Sequence, residues 1–239
     1  MQHNLLSEEA FNKQLSTINV LKKLDKKNIY LIGSYCHQHF CESQKFLIRH
    51  NSNDKNVFFL LSGRLHATIT SAKGKEIGYK EIRHGEMFGE LSAIDNQPRS
   101  ISVIAIEPSL TAILQQQDFL ILLKSESDFA MAVMKHLTCM VRDVSEKLFQ
   151  FGTMSIRERV YLELLRMAEP YFNDSHQIEI HPVPTHTQIA NMIGANREAV
   201  TREINAIKKS GLINIKSRRR LVITDIDELR EIIKNILDN

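Results

Sequence analysis

Between Gly85 and Ser100 the chain gathers groups that could hold a phosphorylated sugar. A glycine before a short helix start, as in Gly89-Glu90-Leu91, can turn free backbone N–H groups toward an anion. Arg99 adds a planar fork matched to a phosphate, and Ser100 adds a hydroxyl. Glu90 is an acceptor able to take a sugar hydroxyl. Alone, a Gly-Glu…Arg-Ser set is most often a surface turn with an exposed ion pair. Inside a barrel, an Arg and a Glu on one short insertion would be expensive without a ligand.

A second concentration of chemistry lies near the C-terminus. Thr185-His186-Thr187-Gln188 has the form of a capping box, and Asn196 is a good N-cap for the next helix. Gly194-Ala195 makes the turn between the two. In the second helix Val200, Ile204 and Ile207 share one side, while Arg197, Glu198, Thr201 and Arg202 share the other. This is a helix-turn-helix. Two short strands follow, Leu212–Ile215 and Leu221–Thr224, joined by Lys216-Ser217-Arg218-Arg219-Arg220, a hairpin with a basic tip. From Arg197 to Arg220 there are eight basic residues against Glu198 and Glu203. A charge run is usually a solvated face; on a helix-turn-helix with a wing it fits the phosphate backbone of DNA.

His37, His39 and Cys41 alternate as residues on one strand face would. Such a trio could ligate Zn²⁺, and an HxH pair with a following Glu, here Glu42, is also used by cupin-type metalloenzymes. Glu42 follows too closely for that pattern and no glycine closes it. An exposed strand face is the commoner reading, so no metal site is assigned. Neither Ser100 nor Ser145 nor the histidines have a base-and-orienter pattern, so an enzyme is not expected.

The elements that must position these groups fall into three parts. Ser7 to Leu24 reads as helical. From Ile29 to Leu114 short β-rich runs alternate with turns: Tyr30–Ile32, His37–Phe40, Phe46–Ile48, Val57–Leu61, Leu65–Thr70, Gly78–Ile82, Ile101–Ile106 and Leu110–Leu114. Strands at this spacing suggest a jelly roll or small barrel. The Gly85–Ser100 interval itself does not read as strand. Then comes a long helix in which Ala130, Met134, Leu137, Val141, Val144, Leu148 and Phe151 recur at steps of four and three, a heptad seam. The seam alone leaves two readings open, a two-helix interface or one amphipathic helix packed on its own domain.

A chain of 239 residues with net charge +3 allows one or two domains, and any basic surface must be local. Cys36, Cys41 and Cys139 form no CxxC pattern, which argues against a disulfide framework or a cysteine-held cluster. Residues 1–27 lack a signal-peptide core and no run approaches a membrane span. A cytoplasmic protein is expected.

Gly89-Glu90-Leu91 followed by Arg99-Ser100 resembles the phosphate-binding cassette of cyclic-nucleotide-binding domains. The opening strands and the Asn196-Arg197-Glu198-Ala199-Val200-Thr201-Arg202 helix resemble the Crp/Fnr regulators. The resemblance implies an α+β fold: a cyclic-nucleotide-binding β jelly roll over 1–125, a dimerisation helix over 126–154, and a winged helix-turn-helix over 155–239. It implies cyclic AMP as allosteric ligand, with Glu90 on the ribose hydroxyl, and Arg99, Ser100 and backbone N–H groups near Gly89 and Leu91 on the phosphate. The family's Thr-Ser pair on the dimer helix reads Val144-Ser145 here; Ser145 keeps its part and Val144 cannot hydrogen-bond a base. Cyclic di-GMP, redox state, or no ligand are therefore alternatives. On the DNA side the resemblance puts Arg197, Glu198 and Arg202 at base edges and His186 at a phosphate, with Asn196, Thr201, Lys216, Arg218 and Arg219 beside them. The partners it implies are palindromic double-stranded DNA with a TGTGA-like half-site, a second copy of the chain, and RNA polymerase.

Overall fold

The computed structural model describes residues 5–70, 76–173, 175–217 and 219–238. Arg218 of the basic tip lies outside them. The chain divides into two compact units, residues 1–142 and 143–239.

The first unit opens with α1 (Glu8–Leu15) and α2 (Lys26–Tyr35). The helical reading from Ser7 to Leu24 holds only to Leu15. Ser16 and Thr17 each turn a hydroxyl back to a carbonyl, at Lys13 and Gln14 (2.7 Å each), which competes with the helical ladder. Tyr30–Ile32, read as a strand, belongs to α2. Asp25 caps that helix by accepting the Asn28 N–H at 2.7 Å, and Ile29, Ile32 and Gly33 are buried at helical spacing. A three-residue apolar window is too short to reveal that period.

Eight strands follow: β1 (Cys36–Cys41), β2 (Phe46–Ile48), β3 (Val57–Ser62), β4 (Arg64–Thr70), β5 (Glu76–Arg83), β6 (Met87–Phe88), β7 (Ser102–Ala105) and β8 (Ser109–Leu114). They form two four-stranded antiparallel sheets, ordered β1-β8-β3-β6 and β2-β7-β4-β5. β3 explains the packing. Its run Val57-Phe58-Phe59-Leu60-Leu61 is buried throughout. Phe58 and Leu60 join a core with Leu65, Ala67, Ile82 and Val103 of the opposite sheet. Val57, Phe59 and Leu61 face the helices α1, α2 and α4 (Gln116–Ser125) on the other side. This is a jelly roll with one sheet covered by helices. Gly63 turns β3 into β4 at φ +92°, where an added Cβ would lie 2.3 Å from Ser109 Oγ. Met87 and Phe88, expected outside the sheets, pair with Phe59 and Phe58 as the short edge strand β6.

α5 (Ser127–Thr153) starts in this unit, and the boundary between the units falls within it. Phe129 and Val133 are buried in the first unit's core, with Phe119 edge-on to Phe129 at 5.9 Å. Leu137, assigned to the seam, also packs partly against this core. Met134, Val141, Val144 and Leu148 remain exposed, by 51, 65, 50 and 71%.

The second unit holds α6 (Ile156–Ala168), β9 (Ile178–Ile180), α7 (His186–Met192), α8 (Arg197–Lys209), β10 (Ile213–Ser217), β11 (Arg220–Ile223) and α9 (Ile226–Leu237). Its sheet has the order β10-β11-β9, all antiparallel. Val160, Leu164, Ile180, Ile189, Ile204 and Leu229 share one core. Among the described residues no helix is long and apolar enough to cross a membrane.

Candidate ligand cassette and nucleic-acid interface

The cassette is built on β6 and the six-residue helix α3 (Glu90–Asp95). Gly89 joins them at φ +87°, and a Cβ there would meet Arg99 Nη1 and the Asn56 carbonyl, each at 2.9 Å. Only glycine lets the guanidinium approach the backbone this closely. Arg99 is 2% exposed. Its Nη1 donates to the Gly89 carbonyl at 2.7 Å, and its Nη2 donates to the Asn56 carbonyl at 2.7 Å and to the Asp54 carboxylate. The guanidinium carbon lies 5.7 Å from the centre of the Phe58 ring, itself stacked on Phe88 at 5.1 Å. Nε of Arg99 is buried and has no hydrogen-bond partner among the described residues.

Glu90 begins α3 and is 3% exposed. Burial raises its carboxyl above the usual carboxylate range, opposed by its own backbone N–H and by the charges of Lys80 and Arg99. A buried carboxyl that feels the charges of two cations, with an unspent guanidinium donor on Arg99, can hold a ligand offering both a hydroxyl and an anion. Leu91 and Ser100 are exposed beside them. Val144 and Ser145 are both exposed on α5. On β1, His37 and His39 are exposed, whereas Cys41 turns inward with its thiol toward the carbonyls of Glu42 and Lys45 (3.6 and 3.7 Å).

In the second unit the capping box forms as the sequence predicts. Gln188 N–H donates to Thr185 Oγ1 at 3.2 Å, and Thr185 N–H donates to Gln188 Oε1 at 2.8 Å. Asn196 Oδ1 accepts the Ala199 N–H at 2.8 Å and starts α8. Val200, Ile204 and Ile207 are buried, so the opposite face is solvent-facing. Arg197, Glu198, Thr201, Arg202, Asn205 and Lys209 line an open depression along it. Thr201 Oγ1 donates to the Arg197 carbonyl at 2.8 Å and lies 2.8 Å from His186 Nδ1. Its one proton is spent on that carbonyl, so His186 Nδ1 is the donor in the pair. Nε2 is thus the acceptor of the neutral ring.

Two family models match the chain and between them cover most of it: a cyclic nucleotide-binding domain over residues 38–126 and a Crp-like helix-turn-helix domain over residues 158–232. The chain belongs to the Crp/Fnr family. It is a Crp/Fnr-type DNA-binding regulator with a cyclic nucleotide-binding domain. Similar proteins include the cAMP-activated global transcriptional regulator CRP of Salmonella typhimurium, 23% identical over 190 residues, 79% of this chain and 90% of that protein. A CooA mutant from Carboxydothermus hydrogenoformans shares the fold at TM-score 0.70 and 18% identity, covering 84% of this chain and 88% of that one. So does the c-di-GMP responsive global regulator CLP of Xanthomonas campestris, at TM-score 0.71 and 14% identity, with coverages of 82% and 98%.

Within this Crp/Fnr chain, sequence reading missed several charged partners. Asp54 and Asn56 sit more than forty residues before Arg99, outside any local motif. Lys80 pairs with Glu86, and its charge reaches Glu90. The basic wing is less charged than the count suggests, because Glu179 of β9 lies 3.4 Å from Lys216 and 3.5 Å from Arg220. The alternation of Ile178, Glu179 and Ile180, buried only at its ends, was the one available signal.

Proposed function

We propose that this protein is a cytoplasmic homodimeric transcription regulator whose DNA binding is controlled by cyclic AMP. The observation that carries the ligand reading is the buried Arg99, with its unpartnered Nε, beside the Gly89 turn and the buried Glu90. In this reading Glu90 accepts the ribose hydroxyl. Arg99, Ser100 and the backbone N–H groups around Gly89 and Leu91 bind the cyclic phosphate, and Ser145, next to Val144, meets the base. Residues 1–125 form the sensor, 126–154 the dimerisation helix and 155–239 the DNA reader. Ligand acts by population shift: it favours one arrangement of the helix pair, and hence one spacing of the recognition helices on a palindromic site. RNA polymerase is then the next partner, as in regulators of this type.

A second reading keeps the site and changes the ligand. Val144 stands where a hydrogen-bonding residue is expected, and CLP responds to c-di-GMP. Titration calorimetry with cyclic AMP, cyclic GMP and cyclic di-GMP separates the two. Cyclic AMP heat at micromolar concentration supports the first reading; silence up to millimolar cyclic AMP sinks it. Redox sensing through the inner thiols is less favoured. Burial pushes the Cys36 thiol up to about 12 and also raises that of Cys41, which keeps both protonated and weakly nucleophilic.

Arg197, Glu198 and Arg202 read base edges, while His186, Lys216, Arg218 and Arg219 hold phosphates; Asn196 and Thr201 position them. Arg202→Ala should cost about 1–3 kcal/mol and relax preference at one base pair of each half-site. Arg219→Ala should weaken binding to every sequence alike and lower the salt slope by about one. Binding of both variants to matched and shuffled sites across a salt series checks this. Equal loss on both sites for Arg202→Ala, with discrimination intact, would leave only a non-specific basic surface.

His186 adds a pH dependence. Burial, then the charge of Arg197, lowers its pKa below the ordinary 6.5. Folding therefore favours the neutral ring, and that contribution is full above about 6.5 and fades as pH falls below it. DNA reverses the preference. With Nδ1–H spent on Thr201, Nε2 can donate to a phosphate only when protonated. Affinity should rise as pH falls below about 6.5, and His186→Gln should flatten that slope. An unchanged slope in the variant would remove His186 from the phosphate contacts.

A further inference from the structure

In this structure Arg99 is paired with an anion of the protein's own. The segment between β2 and β3 wraps its backbone and its guanidinium together. Asn51 N–H donates to the Arg99 carbonyl at 2.9 Å, and Arg99 N–H donates to the Ser52 carbonyl at 3.0 Å. Asp54 then uses both oxygens. Oδ1 accepts the Asn56 N–H at 3.3 Å, and Oδ2 accepts from Arg99 Nη2. Arg99 is 2% exposed while the Asp54 side chain is 40% exposed. The carboxylate therefore lies on the solvent side of a buried cation.

A guanidinium buried this deeply needs a counter-charge, and Asp54 supplies one where a phosphate would otherwise do so. A phosphate binding through Nε and Nη2 needs the donor edge that Asp54 partly occupies. Two anions within a few ångströms on one cation repel each other. We propose that Asp54 is a built-in competitor for the ligand's phosphate. It rests on Arg99 in the ligand-free protein, gives way when the phosphate arrives, and so sets the nucleotide concentration to which the protein responds. This rests on the cyclic-nucleotide reading above. It predicts opposite effects of one change on the two states: loss of the Asp54 charge weakens the ligand-free fold and strengthens the liganded one. A residue that merely positions Arg99 would weaken both.

Asp54→Asn is the informative variant, because it keeps an Oδ1 acceptor for Asn56 and removes both the charge and the Oδ2 acceptor that faces Arg99. Two readouts are needed: calorimetry with cyclic AMP, and thermal melting with and without inorganic phosphate as a simple anion. The variant should bind cyclic AMP about tenfold more tightly, the scale of one charge-assisted bond. It should melt lower than wild type without added anion, and phosphate should raise its melting temperature more. Equal or weaker cyclic AMP binding by the variant overturns the proposal and leaves the cyclic-AMP reading standing. If wild type and variant both ignore cyclic AMP, but phosphate still stabilises the variant more, the nucleotide reading fails and Asp54 remains a competitor for an anion. If phosphate too acts equally on both, the proposal fails as well. Asp54→Ser, which also removes the charge, repeats the comparison should the Asn variant fold poorly.

Discussion

Arg99→Ala should weaken cyclic AMP binding by roughly a hundredfold or more. A charge-assisted hydrogen bond contributes about 1.5–3 kcal/mol, and a phosphate entering a site that has lost its cation is stranded as well. The same change also removes donors from the carbonyls of Gly89 and Asn56 and from Asp54, so the ligand-free protein should melt lower. Arg99→Lys separates the two effects. It keeps a charge but cannot reach two carbonyls and an anion with a planar fork. Calorimetry on both variants should show Lys intermediate in affinity. Wild-type affinity in Arg99→Ala, measured on folded protein, would exclude Arg99 as the phosphate ligand.

Leu148→Glu should abolish the proposed dimer. Leu148 is 71% exposed on α5, and Met134, Val141 and Val144 of the same stripe are each at least half exposed. Four such side chains along one helix lose contact with water only if a second helix covers them, with about 1–2 kcal/mol gained for each. Across a two-fold axis the substitution places two like charges in one apolar seam. Sedimentation should show wild type as a dimer at micromolar concentration and the variant as a monomer with weak DNA binding even with ligand present. A monomeric wild type would overturn the seam.

What the sequence made legible was local. Capping boxes, N-caps and 3.6-residue periods depend on neighbours within four positions, so the helix-turn-helix was readable down to Thr185, Gln188 and Asn196. The cassette was readable because Gly89, Glu90 and Arg99 sit on one short insertion. What stayed hidden was distant. Asp54 meets Arg99 only because the β2–β3 segment folds over it, and Glu179 meets Lys216 only through the pairing of β9 with β11. Short elements were also misjudged: Tyr30–Ile32 is β-rich in composition, but the Asp25 cap and burial at Ile29 and Ile32 make it helix. Along the heptad stripe, Leu137 packs partly against its own domain while Val141, Val144 and Leu148 are exposed, a division that steps of three and four do not encode.

If cyclic AMP, held by Glu90 and Arg99, controls DNA binding by the paired recognition helices, then adding it must change affinity for DNA. Fluorescence anisotropy on a labelled palindrome with TGTGA-like half-sites, centred about one helical turn apart, tests it directly when cyclic AMP is titrated at fixed salt. Binding should be weak without ligand, tighten saturably with cyclic AMP, and not tighten for Arg99→Ala. Equal affinity with and without cyclic AMP in the wild-type protein would contradict control by cyclic AMP.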